Sequence, residues 1–226
     1  MNKHNILFIF CILGATYGLK AQDCTFYFPQ KPGTTLEMKH YNAKDKLTAT
    51  TQTKIIEKSA TSIKFTSEFS DEKDKKVHTG TYEVHCKNGE FTMDMSSFTQ
   101  GMNLDAYKDM EIKFETDEMS FPSMLQPGMK LNDGEVRIKI ANQGMTLMNM
   151  SMKIYNRVVE GKEDITTPAG TFSCYKITYD VDSKVLFKSQ SKGVEWISKN
   201  AGIVRTESRD TKGKMVAYSV LSQLKD

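Results

Sequence analysis

Apolar and polar residues alternate along most of the chain. Residues 63–69 (IKFTSEF) alternate almost perfectly. The same pattern recurs in residues 82–86, 91–95, 136–140, 148–154, 175–181 and 216–220. Because successive side chains of a strand point to opposite faces, a period of two indicates half-buried β-strands.

Turn signals separate these runs. Asn88 and Gly89 lie between two alternating segments, and an Asn-Gly pair strongly favours a β-hairpin. Pro168 and Gly170 supply the fixed φ and the positive φ of a tight turn, so we expect a purely structural turn there. No helical pattern of useful length lies between the runs. The sequence therefore predicts an all-β fold, a curved antiparallel sheet that forms an open β-barrel.

The segment from Ser97 to Lys130 interrupts this rhythm. Residues at roughly helical spacing within it are Met102, Leu104, Tyr107 and Met110. We predict one long connection with a possible short helix. Since long connections often form lids or binding loops, we expect it to cover part of the concave side of the barrel.

The first residues have the pattern of a secretory signal peptide. A basic region at Lys3 precedes an apolar run at residues 6–13, which is too short to span a bilayer, and Ala21 is a small residue suited to cleavage. We expect residues 1–21 to be removed and residues 22–226 to form a single domain. The predicted location is periplasmic, cell-surface or secreted, with no transmembrane segment after cleavage.

Composition and charge exclude several classes of protein. The 226 residues are 38% hydrophobic and 26% charged, which is too polar for a helical membrane protein and too apolar for a disordered one. The net charge is +3, and the loss of Lys3 and Lys20 with the signal peptide lowers it to +1. A field this weak gives no basis for binding nucleic acid.

Export determines the expected state of the cysteines. Cys24, Cys86 and Cys174 remain after signal cleavage, in an oxidising compartment where disulfides persist. We predict a Cys24–Cys86 bridge, which ties the N-terminal segment to an early hairpin, and a buried free thiol at Cys174. Because CxxC spacing is absent, no zinc site is expected.

The sequence lacks the patterns of known catalytic sites. His40, His78 and His85 are the histidines that follow the signal peptide, and none lies in an HExxH motif. Nucleophile-elbow, dinucleotide-binding and P-loop motifs are also missing. We therefore expect no catalytic residues, no cofactor and no metal, and a protein that is not an enzyme.

Methionine is concentrated in one part of the chain. Eleven of the 14 methionines lie between Met93 and Met152. Flexible thioether side chains suit cavities that hold irregular apolar ligands. The residues predicted to line the concave side and bind such a ligand are Phe91, Met93, Met95, Met148, Met150 and Met152. Core packing is one alternative, and a Cu(I) site formed by methionines 148, 150 and 152 with Met145 nearby is another.

Several stretches together resemble a known family. They are CTFYFP at 24–29, GTTLE at 33–37, NRVVEGKE at 156–163, TTPAGTFSCYKI at 166–177 and GIVR at 202–205. In these stretches the chain is similar to exported Bacteroidetes proteins called TapB-like, which are related to a broader group of domains of unknown function. The resemblance implies an open, strongly curved antiparallel barrel similar to the lipoprotein carriers LolA and LolB, whose concave faces bind acyl chains. It implies no established reaction or cofactor.

The leading hypothesis is an exported, non-enzymatic module that binds an apolar or lipid-like small molecule, or an envelope protein, on its concave face. One alternative is a structural or interaction protein with a filled core and no ligand. A periplasmic Cu(I)-binding protein is a second alternative. An outer-membrane barrel is a weaker one, because the chain ends in Gln-Leu-Lys-Asp and lacks an aromatic C-terminus.

Overall fold

The computed structural model of the chain describes residues 24–99, 104, 107 and 109–226. The predicted signal peptide at residues 1–21 lies outside the described residues, and so does Met102. Removal of the signal peptide and the extent of the domain stay predictions.

The described residues form thirteen β-strands and one short 3-10 helix. The bounds are β1 Thr35–Asn42, β2 Leu47–Lys58, β3 Ser62–Asp71, β4 Lys76–Lys87, β5 Glu90–Asp94, the 3-10 helix Met95–Thr99, β6 Glu111–Thr116, β7 Glu118–Pro122, β8 Gly134–Asn142, β9 Met145–Thr167, β10 Gly170–Lys184, β11 Lys188–Ser198, β12 Gly202–Arg209 and β13 Met215–Lys225. This arrangement confirms the all-β prediction.

All thirteen strands belong to one antiparallel sheet, in the order β6-β8-β9-β10-β11-β12-β13-β1-β2-β3-β4-β5-β7. Short turns join most neighbours, as between β4 and β5, where Asn88 and Gly89 adopt φ values of 52° and 79°. β1 pairs with β13, so the first and last strands lie side by side. The sheet curls into a nearly closed barrel.

One seam of the barrel is unsealed, between the edge strands β6 and β7. Asp117 alone separates these strands along the chain. The N–H of Asp117 donates to the carbonyl of Glu135 (2.8 Å). The side chain of Asn132 accepts the N–H of Ser120 (2.9 Å) and donates to the carbonyl of Glu118 (2.9 Å). These bonds hold β7 close to the start of β8.

The predicted long connection contains more regular structure than the sequence pattern indicated. Residues 97–130 include β6 and β7, and the 3-10 helix begins just before them. Its last part pairs with β9, since Gly128 N–H donates to the Val159 carbonyl (2.8 Å) and Val159 N–H donates to the Met129 carbonyl (2.9 Å). Much of the segment is therefore wall of the barrel.

Buried apolar side chains form two clusters. The larger one includes Phe26, Tyr27, Phe65, Phe91, Phe121, Val159, Ile177 and Ile197. The smaller one consists of Met95, Met119, Val136, Ile138, Ile140, Met150 and Ile154. Val136, Ile138 and Ile140 are one face of the alternating run that predicted β8, and all three are buried.

An irregularity in β9 changes which of its residues face the core. Asn156 adopts a φ of 54°, and the register between β9 and β10 shifts between Thr178 and Asp180. Before this point Ile154 is buried, and after it Arg157 and Val159 are buried. The inward face therefore changes from even to odd positions, as a β-bulge requires.

A disulfide joins Cys24 to Cys86, the pairing that we predicted, with their Cα atoms 5.9 Å apart. It anchors the segment before β1 to the end of β4. Phe26 and Tyr27 follow directly and are both buried in the larger cluster. Cys174 is a buried free thiol, and burial raises its pKa to about 11.

Candidate functional site

The six residues predicted to bind a ligand do not form a single site. Phe91 is buried in the larger cluster. Methionines 95 and 150 are buried in the smaller cluster, and methionines 148 and 152 pack against it. Met93 packs against the larger cluster and also lines an internal cavity. The ligand-binding role of the set stays a prediction.

The cavity lined by Met93 has a volume of about 300 Å³ and lies inside the barrel. Its apolar lining residues are Tyr27, Phe28, Leu36, Met38, Phe65, Phe69, Met93, Phe121, Ile197, Ala201 and Ile203. A small number of polar side chains interrupt this wall, among them His40, Thr51, Ser97 and Glu195. A mainly apolar wall with a few polar groups is typical of sites for small molecules. We call this cavity the first chamber.

A second chamber of about 360 Å³ adjoins the first. Residues that line both are Met38, His40, Thr51, Glu195 and Ile203. The second chamber extends to Lys192 on β11. In the strand register, Lys192 lies opposite Arg209, the last residue of β12. The two chambers are therefore neighbours, and the second reaches the end of the barrel where β12 turns into β13.

A buried ion pair lies beside this space. The guanidinium Nη2 of Arg157 and the carboxylate Oε1 of Glu195 are 3.9 Å apart, and the two side chains are 1% and 5% exposed. Nη1 of Arg157 donates to the Asn132 carbonyl (2.9 Å), and its Cζ lies 4.6 Å from the ring centroid of Phe121. Arg157 is thus held in place by a hydrogen bond to the segment before β8 and by the ring face of Phe121.

The carboxylate of Glu195 has unused hydrogen-bonding capacity. Within the described part of the chain, Oε1 of Glu195 and Nη2 of Arg157 are buried without a hydrogen-bond partner. Burial raises the pKa of Glu195, and the charge of Arg157 opposes that rise. Leaving a buried polar atom without a hydrogen-bond partner costs free energy, and this strained ion pair lies beside both chambers, which Glu195 lines.

His40 is fixed at the junction of the two chambers. Its Nδ1 lies 2.7 Å from Ser219 Oγ and its Nε2 lies 2.8 Å from Thr51 Oγ1. The ring centroid is 5.9 Å from that of Phe69. Burial lowers the pKa of His40, which favours a neutral imidazole held by two hydroxyl groups.

The predicted turn lines neither chamber. Pro168 and Ala169 connect β9 to β10, and Gly170 adopts a φ of 132°. The Ala169 N–H donates to Oγ1 of Thr167 (3.2 Å). These contacts are those of a hairpin turn; its purely structural role stays a prediction.

Sequence reasoning missed His40, Arg157 and Glu195. Charged residues in alternating strands are ordinarily assigned to the solvent face, and His40 lacks any motif around it. The one local signal is Asn156, a residue type that tolerates positive φ and so marks where β9 can reverse its faces.

Two further properties of the described residues bear on the site. No group of three or more His, Cys, Asp or Glu side chains among them is placed to hold a metal ion. None of their helices has the length and apolar character needed to cross a membrane.

The chain has recognisable relatives. Residues 31–221 match the model of the DUF3108-like family. A presumed exported protein with a YmcC-like fold from Bacteroides fragilis is 25% identical, with a TM-score of 0.76 over 90% of this chain and 100% of that one. A presumed lipoprotein from Parabacteroides distasonis is 27% identical, with a TM-score of 0.74 over the same shares. None of the curated proteins matches the chain.

Proposed function

We propose that this chain, which belongs to the DUF3108-like family, is an envelope protein that binds a single-chain amphiphile inside its barrel. The apolar chain of the ligand occupies the first chamber, and its polar end lies at Glu195. The observation that carries this proposal is the buried Arg157–Glu195 ion pair, whose facing atoms lack hydrogen-bond partners, beside two adjoining chambers.

The size and wall of the chambers suit such a ligand. Their volumes of about 300 and 360 Å³ lie in the range of small-molecule sites. Met38, Phe65 and Met93 offer the mixture of flexible thioether and aromatic surface that adapts to an alkyl chain. A core filled by its own side chains would not contain cavities of this size.

The acceptor character of Glu195 selects the polar end of the ligand. A carboxylate accepts hydrogen bonds, so a hydroxyl or amine donor suits Glu195. A second carboxylate would bring like charge to a group already 5% exposed and paired with a single arginine. We therefore infer a ligand whose head is a hydrogen-bond donor.

An envelope location fits the available relatives. Of the solved relatives named above, one is a presumed exported protein and the other a presumed lipoprotein, and residues 1–21 have the pattern of a signal peptide. The narrower resemblance to TapB-like proteins is consistent with the same location. Acyl chains are abundant in that compartment, which supplies the class of ligand.

Displacement of the fluorescent probe N-phenyl-1-naphthylamine tests this proposal. Probe fluorescence should rise with the wild-type protein, and Met93→Trp, which fills the first chamber, should weaken binding about tenfold. Met145→Trp is the matched control, because Met145 is exposed. Dodecanol and dodecylamine should displace the probe better than dodecanoate. Equal binding by both variants, or no binding by the wild type, would contradict the proposal.

Copper titration separates the remaining alternative. Methionines 148, 150 and 152 pack against the aliphatic side chains of the smaller cluster, as core thioethers do. Tight Cu(I) binding that disappears when these three residues are changed to leucine would favour the copper site. The absence of both copper and probe binding would favour a structural protein.

A further inference from the structure

The connection between β10 and β11 exposes three consecutive apolar residues. Val185, Leu186 and Phe187 form this tip, and Leu186 and Phe187 are 72% and 85% exposed. Lys184 and Lys188, also exposed, flank it directly. Surface turns are ordinarily polar, and a contiguous apolar tip bounded by cations marks a surface for interaction.

Antiparallel topology places other exposed connections at the same end of the barrel. β10, β12 and β1 run toward this end, so the turns that follow them lie along one rim. The turn after β12 presents Lys212 and Lys214, and the turn after β1 presents Lys44 and Lys46. The tip and these two turns are consecutive along the sheet.

The two lysine-bearing turns share one construction. Asp210 accepts the N–H groups of Lys212 and Lys214, each at 2.9 Å. Asn42 accepts those of Lys44 (2.9 Å) and Lys46 (3.2 Å) in the same way. Since the Asx side chain folds back onto the backbone, the lysine side chains are left at the surface of the turn.

The charge of this rim is positive. The tip and the two turns carry six lysines, against Asp45 and Asp210 as acidic residues. Asp45 accepts the hydroxyl of Tyr218 (2.8 Å), so its carboxylate is directed back to the barrel. The turn after β3 lies at the same end, but its acidic residues balance its lysines. The basic surface is therefore centred on the tip and its two neighbours.

A groove of about 540 Å³ lies beside the tip and adds to this surface. Lys153, Lys184 and Lys188 line it together with Glu135 and Asp182. Asp182 already accepts hydrogen bonds from Tyr155 and Gln190, each at 3.1 Å. Three lysines thus line a groove that borders the exposed apolar tip.

We propose that this rim docks the barrel on an anionic phospholipid bilayer, with Val185, Leu186 and Phe187 inserted among the acyl chains and the flanking lysines at the headgroup phosphates. In a bilayer the anionic phosphates lie at the surface, where they would bind the lysines. The hydrocarbon lies below them, where it would take up the apolar tip. The second chamber reaches the same rim at Lys192. Docking there would bring the opening of the chambers to the membrane, although the docking does not depend on a ligand.

Vesicle co-sedimentation of the full chain tests the docking. The protein should partition onto phosphatidylcholine vesicles that contain phosphatidylglycerol about tenfold more strongly than onto phosphatidylcholine alone. High salt should reduce that preference, because it screens the lysines. Leu186→Ser with Phe187→Ser should abolish binding, and Lys184→Glu with Lys188→Glu should remove the preference for anionic lipid.

Matched controls change exposed apolar and basic residues elsewhere. Ile56→Ser removes an exposed aliphatic side chain of β2, and Lys54→Glu with Lys64→Glu reverses two exposed charges on β2 and β3. Both should bind vesicles as the wild type does, and all variants should keep the wild-type unfolding temperature because the changes are on the surface. In Phe187→Trp, emission should shift to shorter wavelength on addition of anionic vesicles.

Three outcomes would overturn the docking proposal. They are no partition onto anionic vesicles, equal loss in the control variants, and a dimer in analytical ultracentrifugation that Leu186→Ser with Phe187→Ser dissociates. The last would show that a second copy covers the tip. Probe binding in the chambers is measured without vesicles, so its failure and the failure of docking are distinguishable.

Discussion

Gly193 on β11 lies directly opposite Tyr179 on β10, and the tyrosine ring covers the glycine backbone. A Cβ atom at position 193 would lie 2.0 Å from Cε2 of Tyr179. Tyr179 and Gly193 both line the second chamber. The absence of a side chain at Gly193 therefore allows the ring of Tyr179 to occupy its place in the chamber wall.

Gly193→Ala should destabilise the protein by about 1–3 kcal/mol, since the added methyl group forces the ring of Tyr179 to move. Urea denaturation measures the change. Gly161→Ala is the control, because a Cβ atom there would meet nothing within 4 Å. The control should be neutral or slightly stabilising, as alanine is favoured over glycine within a strand. Equal effects of the two substitutions would contradict this account.

Arg157→Met should lower the free energy of unfolding by about 3–5 kcal/mol near neutral pH, because it leaves Glu195 as an unpaired buried carboxylate. Burial already raises the pKa of Glu195. In the variant the folded state should bind a proton more tightly than the unfolded state does. Relative to the wild type, its stability should therefore increase as the pH falls from the raised folded-state pKa of Glu195 toward about 4.3.

Denaturation curves at several pH values check this expectation. Arg157→Met with Glu195→Leu should recover much of the lost stability, because an apolar pair replaces the unpaired charge. If the stability of Arg157→Met did not rise relative to that of the wild type at lower pH, Glu195 would not be the group left uncompensated.

Stability should also fall as the pH drops below about 6.5, because burial lowers the pKa of His40 in the folded state. Below that pH the unfolded chain takes up a proton at His40 that the folded protein resists. The stabilisation from neutral His40 is therefore complete above the unfolded-state pKa and is lost as the pH falls toward the lower folded-state pKa. His40→Gln should reduce this pH dependence, as measured by unfolding midpoints near about pH 7.5 and about pH 5.5. An unchanged dependence would assign the effect to other groups.

Cys24→Ser with Cys86→Ser should lower stability by about 4 kcal/mol on the chain-entropy model, because the bridge closes a loop with a sequence separation of 62. Thermal unfolding with and without a reductant measures it. Cys174→Ala is the control, since its thiol is unpaired, and reductant should not change its effect. A wild-type protein indifferent to reduction would contradict the expected contribution.

Gly170→Val should destabilise the β9–β10 hairpin by about 1 kcal/mol or more, since valine does not readily adopt the φ of 132° found there. Binding of the naphthylamine probe by the folded variant should be unchanged. Loss of binding at normal stability would show that the turn does more than connect two strands.

Local patterns were sufficient for most of the strands. Val136, Ile138 and Ile140 alternate in the sequence and are all buried, and Asn88 with Gly89 forms the expected turn. β6 and β7 were not predicted, because each is short and their segment also contains residues at nearly helical spacing. Short edge strands are fixed by their partners more than by their own pattern.

The candidate site depended on long-range information. Arg157 faces inward because of the irregularity at Asn156, and a single sequence does not show where a bulge will occur. Glu195 lies between Val194 and Trp196, a pattern that favours the solvent face for the glutamate. Its inward orientation is understood only once Arg157 is known to be its neighbour. The chambers themselves arise from the curvature of the whole sheet.

The closeness of β6 and β7 has a consequence for self-association. A free sheet edge can add a strand from another molecule, which is how many β-proteins begin to aggregate. Here the two edges are a strand of six residues and one of five, separated by Asp117 alone. Another molecule could therefore add a strand only along these short edges, where few backbone hydrogen bonds can form. The arrangement favours a protein that stays dispersed at high concentration.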